Sequence, residues 1–112
     1  MANRHRGEVD AVLDGRRHTL CLTLGALAEL EASYAADDLI ALAARFEGGR
    51  LSARDLIRVV GAGLRGGGAA VSDDEVAAMR AEGGAAGFAA IAADLIRATF
   101  GDGGEAREAA NP

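Results

Sequence analysis

Glu8-Val9-Asp10-Ala11-Val12-Leu13-Asp14-Gly15-Arg16-Arg17-His18-Thr19-Leu20-Cys21-Leu22-Thr23 is the stretch on which the fold turns. Its first half alternates, with Val9, Ala11 and Leu13 on one face. Asp14-Gly15 accepts the positive φ values of a type I′ turn, and Arg16 to Thr23 returns with its own alternation. A two-residue loop sets Leu13 opposite Arg16, Ala11 opposite His18 and Val9 opposite Leu20. One face then gathers Val9, Ala11, Leu13, Leu20 and Leu22. The other carries Glu8, Asp10, Arg17, Thr19 and Thr23, with Val12 and Cys21 as exceptions. A slip of one residue would turn the whole apolar set outward, so this face fixes the register. A two-stranded sheet is marginal in water by itself, so helices are expected to lie on its apolar side.

Downstream, glycines and helix caps punctuate the chain. Thr23 caps a helix over about 24–34, with Leu24, Leu27, Leu30 and Tyr34 at helical spacing. Asp37 is placed to cap a second helix, about 38–47, whose stripe is Leu39, Leu42, Ala43 and Phe46, widened by Ile40. Gly48-Gly49 stops it. Ser52-Ala53-Arg54-Asp55 is a capping-box variant with Asp where Glu is usual, and opens a third helix over about 53–65. Leu56, Ile57, Val60 and Leu64 form its apolar face. Gly61 and Gly63 inside it each cost about 1 kcal/mol against Ala, which predicts the close approach of another backbone. Gly66-Gly67-Gly68 ends the helix. Ser72-Asp73-Asp74-Glu75 is a full capping box and starts a fourth helix, about 73–82, with Val76 and Met79 on one side. Gly83-Gly84 breaks it. The last helix, about 85–100, faces inward through Phe88, Ile91, Leu95 and Phe100, with Ile96 and Ala92 beside them. The expected fold is mainly α: an N-terminal β-hairpin over 8–23, then a compact bundle of four to five short helices. It forms a single domain, 8–101, between a flexible N-terminus, 1–7, and a disordered tail, 102–112, which has no Leu, Ile, Val or aromatic residue.

The 112 residues hold one domain's worth of chain, able to remove roughly 65% of its unfolded surface from water. Half the residues are apolar, and close to half of those are Ala, which buries little area each. The net charge of −5 opposes binding to a phosphate backbone, so nucleic acid is not an expected partner. Every basic residue is Arg. The single cysteine, Cys21, makes no internal disulfide and no Cys-based zinc site, and fits a reducing, cytoplasmic compartment. No apolar run follows the polar start, so no signal peptide is expected. Nothing approaches the roughly 20 apolar residues of a membrane span.

No catalytic, cofactor-binding or metal-ligating residue is assigned, and no cofactor. His18 and Cys21 are three apart on a strand and so point to opposite faces, unlike a thiolate and its base. His5 and His18 lack the carboxylate spacing of a metal site. Glu29 and Glu31 do not share a helix face. Asp37-Asp38 and Asp73-Asp74 sit at helix starts, where carboxylates cap amides and oppose the dipole. Gly61-Ala62-Gly63-Leu64-Arg65-Gly66 has the spelling of a dinucleotide fingerprint but ends a helix instead of opening one. Gly48-Gly49-Arg50 is a helix stop with a solvated Arg. Arg16-Arg17, with Arg4 and Arg6, gathers positive charge at the hairpin end.

Four segments, taken in order, carry a family resemblance. They are Asn3-Arg4-His5-Arg6-Gly7-Glu8-Val9 leading to Leu13-Asp14-Gly15; Leu22-Thr23-Leu24-Gly25-Ala26-Leu27-Ala28-Glu29-Leu30-Glu31; Arg45-Phe46-Glu47-Gly48-Gly49-Arg50-Leu51-Ser52; and Val60-Gly61-Ala62-Gly63-Leu64-Arg65-Gly66-Gly67-Gly68. Over residues 3 to 101 the chain resembles the small tail protein of alphaproteobacterial gene transfer agents and related prophages, described both as a tail assembly chaperone and as a tail tube protein. The resemblance implies no enzyme and no catalytic residues. It implies the tape measure protein and other tail proteins as partners, with self-association, in the bacterial cytoplasm during particle assembly. One hairpin is little strand for a tube, which favours the chaperone description. A tube component retained in the particle stands as the alternative. A small helical regulatory or enzyme subunit unrelated to tails stands as a third.

Overall fold

The computed structural model describes residues 2–101; the tail expected over 102–112 lies outside the described residues. The hairpin has the expected register. Strands β1 (Glu8–Leu13) and β2 (Arg16–Cys21) pair antiparallel, with Leu13 on Arg16, Ala11 on His18 and Val9 on Leu20. Asp14 and Gly15 take φ values of 53° and 75°, as a type I′ turn requires. Val9, Ala11, Leu13, Leu20 and Leu22 are buried.

Five helices follow, as expected for a hairpin packed against helices: α1 (Leu24–Tyr34), α2 (Leu39–Phe46), α3 (Ala53–Gly66), α4 (Asp73–Ala77) and α5 (Gly84–Phe100). Thr23 Oγ1 accepts the Ala26 amide at the start of α1. Asp38, one residue past the expected cap, accepts the Ala41 amide and starts α2. Both predicted capping boxes form, Ser52 with Asp55 and Ser72 with Glu75. Helix α4 is shorter than the pattern suggested. Residues 80–82 leave it to run beside the hairpin turn, where the Asp14 amide donates to the Arg80 carbonyl and Ala81 bridges Leu13. Tertiary pairing there outweighs the weak local preference for another helical turn. Upstream, Asn3 caps a single 3-10 turn, Arg4–Arg6, and accepts the Glu8 amide on its carbonyl.

Helix α3 is the centre. Its residues 59–64 are buried without interruption, because β2, α1, α4 and α5 all pack on it. Over that stretch Val59-Val60-Gly61-Ala62-Gly63-Leu64 has no polar side chain to mark an outer face, so the sequence pattern underestimated its burial and missed Val59. The glycines explain how so many neighbours fit. A Cβ on Gly66 or Gly67 would fall on the carbonyl oxygens of Cys21 and Thr19, along the outer edge of β2. The expected close backbone approach is therefore made by the glycines first read as a helix stop. Gly61 faces the Asp73 carboxylate, and Gly63 faces Leu95 and Leu20. Leu24 and Leu39, read on the apolar stripes of α1 and α2, are exposed, and Ile40, beside the α2 stripe, is 81% accessible.

Candidate functional site

Helix α5 has two apolar faces. Ala92 and Leu95 are buried against the core, with Phe88 and Ile91 partly so. The second face is made by Ala86, Ala89, Ala90, Ala93, Ile96, Arg97 and Phe100, and it lines an open groove. Their spacing is three, one, three, three, one and three residues, which is one continuous stripe of an α-helix. The opposite wall is Ala43 and Phe46 of α2 with the turn through Glu47, Gly49 and Leu51. The groove encloses about 780 Å³. Its floor is alanine, so the helix backbone lies close beneath the surface. Of the 17 residues of α5 only Asp94 and Arg97 are charged. A smaller apolar depression of about 170 Å³, bordered by Leu56, Ile57, Val76 and Phe88, lies at the other side of the α5 start.

The α2 wall is held in place by a polar cluster. Asp55 is 4% accessible. It accepts the Tyr34 hydroxyl at 2.6 Å and the Ser52 amide at 2.9 Å, and pairs with Arg45 at 3.4 Å. Burial opposes its ionisation, but the Tyr34 and Ser52 hydrogen bonds and the Arg45 charge prevail and hold its carboxyl below the usual range. Burial and the hydrogen bond to Asp55 push Tyr34 up to about 12. The guanidinium groups of Arg45 and Arg58 lie 4.9 and 5.1 Å from the Tyr34 ring centre. Phe46, a groove residue, meets Tyr34 edge-on at 5.3 Å. The cluster therefore fixes Phe46, and with it the rim of the groove.

A second cluster ties three helices. Arg65 of α3 donates to Glu29 of α1 and to the Val71 carbonyl at 3.0 Å, and pairs with Asp73 of α4 at 3.0 Å. The bond to Glu29 chiefly, with Asp73, raises the Arg65 pKa above its usual value against the effect of burial. One carboxylate of each pair read at a helix start thus has a defined partner: Asp38 caps α2 and Asp73 pairs with Arg65.

The remaining sequence candidates are scattered. Cys21 is half-buried, with Sγ 3.7 Å from the Arg6 carbonyl, and His18 is half-buried on the same strand. His5 is exposed in the 3-10 turn, and Arg16 and Arg17 are exposed at the hairpin turn. Arg4 pairs with Asp94 at 3.0 Å. Among the described residues, no three His, Cys, Asp or Glu side chains gather as a metal site, and no helix is long and apolar enough to cross a membrane. The groove is the feature that sequence reasoning missed. Its signal was available as the alternate stripe of alanines on α5, masked by the larger residues of the core face.

The outer edge of β2 is covered. Gly66 and Gly67 lie against the Cys21 and Thr19 carbonyls on that side. Beside β1, bonds are made at its two ends: the Glu8 amide donates to Asn3, and the amide of the turn residue Asp14 donates to Arg80. Lateral growth by strand pairing requires an open edge, and β2 offers none; α5 and the groove beside it are a broad apolar surface. Residues 6–102 match the model of a family described as Phage tail tube protein, GTA-gp10. No curated protein and no solved structure matches the chain.

Proposed function

The chain belongs to the GTA-gp10 phage tail tube protein family, and from that premise we propose that it acts as a non-enzymatic tail assembly chaperone. It binds the tape measure protein in the cytoplasm and keeps it soluble until the tube assembles around it. The observation that carries this reading is a single short hairpin, covered along β2, beside an open helical groove. A protein that builds a tube wall joins neighbours through extended sheet. This one has two short strands, with the outer side of β2 already covered and β1 bonded at its ends. What it offers instead is an apolar channel of the kind that receives an amphipathic helix.

The second reading, a structural component retained in the tail, rests on the family description itself. The two separate in a co-expression experiment. The tape measure protein from the same gene cluster is produced with and without this chain, and its soluble fraction is measured. Chaperone action predicts a several-fold rise in soluble tape measure protein and co-purification of the pair. Unchanged solubility with no co-purification contradicts it.

A further inference from the structure

We infer that α2 is the movable wall of the groove. It opens as one unit on the Gly48-Gly49 turn, is latched shut by Arg45 and Phe46, and leaves α5 in place. This holds whatever occupies the groove.

The two walls are held very differently. On α5, Ala92 and Leu95 are buried, Leu95 lies against Gly63 of α3, and the helix also packs on both strands. Arg4 ties Asp94 of the same helix to the N-terminal turn at 3.0 Å. Helix α2 packs mainly on α1. Its eight residues fall short of the about 12–15 at which an isolated helix is even marginal in water, so packing must hold it. That packing is thin. Leu42 and Phe46 are its buried residues, and residues 37–41 and 47–50 on either side are exposed. An element with few buried contacts and solvated flanks opens locally at less cost than the whole fold. The turn that follows has room to move. Gly49 has a φ of 69°, and a Cβ on Gly48 or Gly49 would meet nothing within 4 Å. A few such positions can absorb the dihedral change of a hinge.

The contacts that close α2 separate cleanly. Their seat is Tyr34 of α1 and Asp55 of α3, joined at 2.6 Å, with the Ser52 amide on Asp55 and the Arg58 guanidinium 5.1 Å from the Tyr34 ring centre. None of these groups belongs to α2, so the seat persists when α2 leaves it. Helix α2 brings Arg45, 3.4 Å from Asp55 and 4.9 Å from the ring centre, and Phe46, edge-on at 5.3 Å. The Arg45 side chain is already 46% exposed, so its charge returns readily to water. Asp55 then keeps its bonds to Tyr34 and Ser52, and no buried carboxylate is orphaned. Opening carries Ala43 and Phe46 away from α5 and widens the groove.

The test is native-state hydrogen exchange of the full chain, followed residue by residue by NMR over a series of low denaturant concentrations. The amides of Leu42, Ala43, Arg45 and Phe46 are expected to share one opening. They are expected to be at least about a hundredfold less protected than those of Leu30 in α1 and Val60 to Leu64 in α3, with a weaker denaturant dependence. Arg45→Ala is expected to lower α2 protection about tenfold. Val76→Ala, on α4, removes core packing that the opening of α2 leaves intact. It is expected to lower α3 protection about tenfold and to leave α2 protection unchanged. Equal protection of α2 and α3 overturns the inference, as does a fall of α2 protection in step with α3 in Val76→Ala. Unchanged α2 protection in Arg45→Ala removes the latch. Exchange of the Leu30 amide together with α2 moves the opening to the α1–α2 pair and overturns the hinge at Gly48-Gly49.

Discussion

Gly66 and Gly67 show how much one hydrogen in place of a methyl can decide. Each stands where a Cβ would collide with a β2 carbonyl oxygen. Neither strand nor helix backbone can yield without breaking its own hydrogen bonds. Gly67→Ala is therefore expected to destabilise the fold by about 1–3 kcal/mol, read from chemical denaturation. Gly25, in the first turn of α1, is the control. Its nearest neighbour to an added Cβ is 3.9 Å away and its φ is not positive, so Gly25→Ala is expected to stabilise by about 0.5–1 kcal/mol. Equal effects of the two substitutions would contradict the packing account. Tyr34 gives a second residue-scale prediction. Its folded pKa, about 12, exceeds the unfolded value near 10. The neutral hydroxyl is thus worth stability that is intact below pH 10 and is lost as pH rises toward 12. The chain has one Tyr and no Lys, so few other groups titrate in that window. Tyr34→Phe is expected to cost about 1–2 kcal/mol at neutral pH by removing a donor from buried Asp55, and to flatten the alkaline fall in stability. A variant that still loses stability between pH 10 and 12 as the parent does would locate the cause elsewhere. Asp55 has the opposite sign: its depressed pKa gives stability that is present above about pH 4 and fails as pH falls further.

Arg65 belongs to the scale of elements, because it joins α1, α3 and the start of α4 through one guanidinium. A lysine has one charge centre and no fork. Arg65→Lys is therefore expected to lose about 1–2 kcal/mol, most of the loss seen with Arg65→Ala. If Lys restores full stability, the charge alone matters and the fork does not. How legible the elements were depended on their surroundings. The hairpin register could be read because a two-residue turn and an alternating face leave no freedom. The capping boxes were legible because they are local chemistry. The depth of α3 was not, because Val59 to Leu64 carries no polar residue from which an outer face could be told. The end of α4 was not, because residues 80–82 are drawn to the hairpin turn 66 positions away in the chain. The second face of α5 was written in alanines, whose small side chains mark a face only weakly. Asp55 was read as a cap, which it is, but its bond to Tyr34 joins helices that sequence spacing cannot bring together.

At the scale of the molecule, an acidic chain has one short hairpin, covered along β2, and leaves a helical groove open. Those features, joined to the tail-protein family, are the basis for the proposal that it acts in assembly and not in the finished tube wall. A chaperone is released when the tube forms, whereas a tube subunit is counted in every particle. Quantitative mass spectrometry of purified particles beside the producing-cell lysate separates these outcomes directly. The account predicts a protein abundant in the lysate together with the tape measure protein and missing from the particles. Many copies per particle would contradict it and make the chain a structural part of the tail.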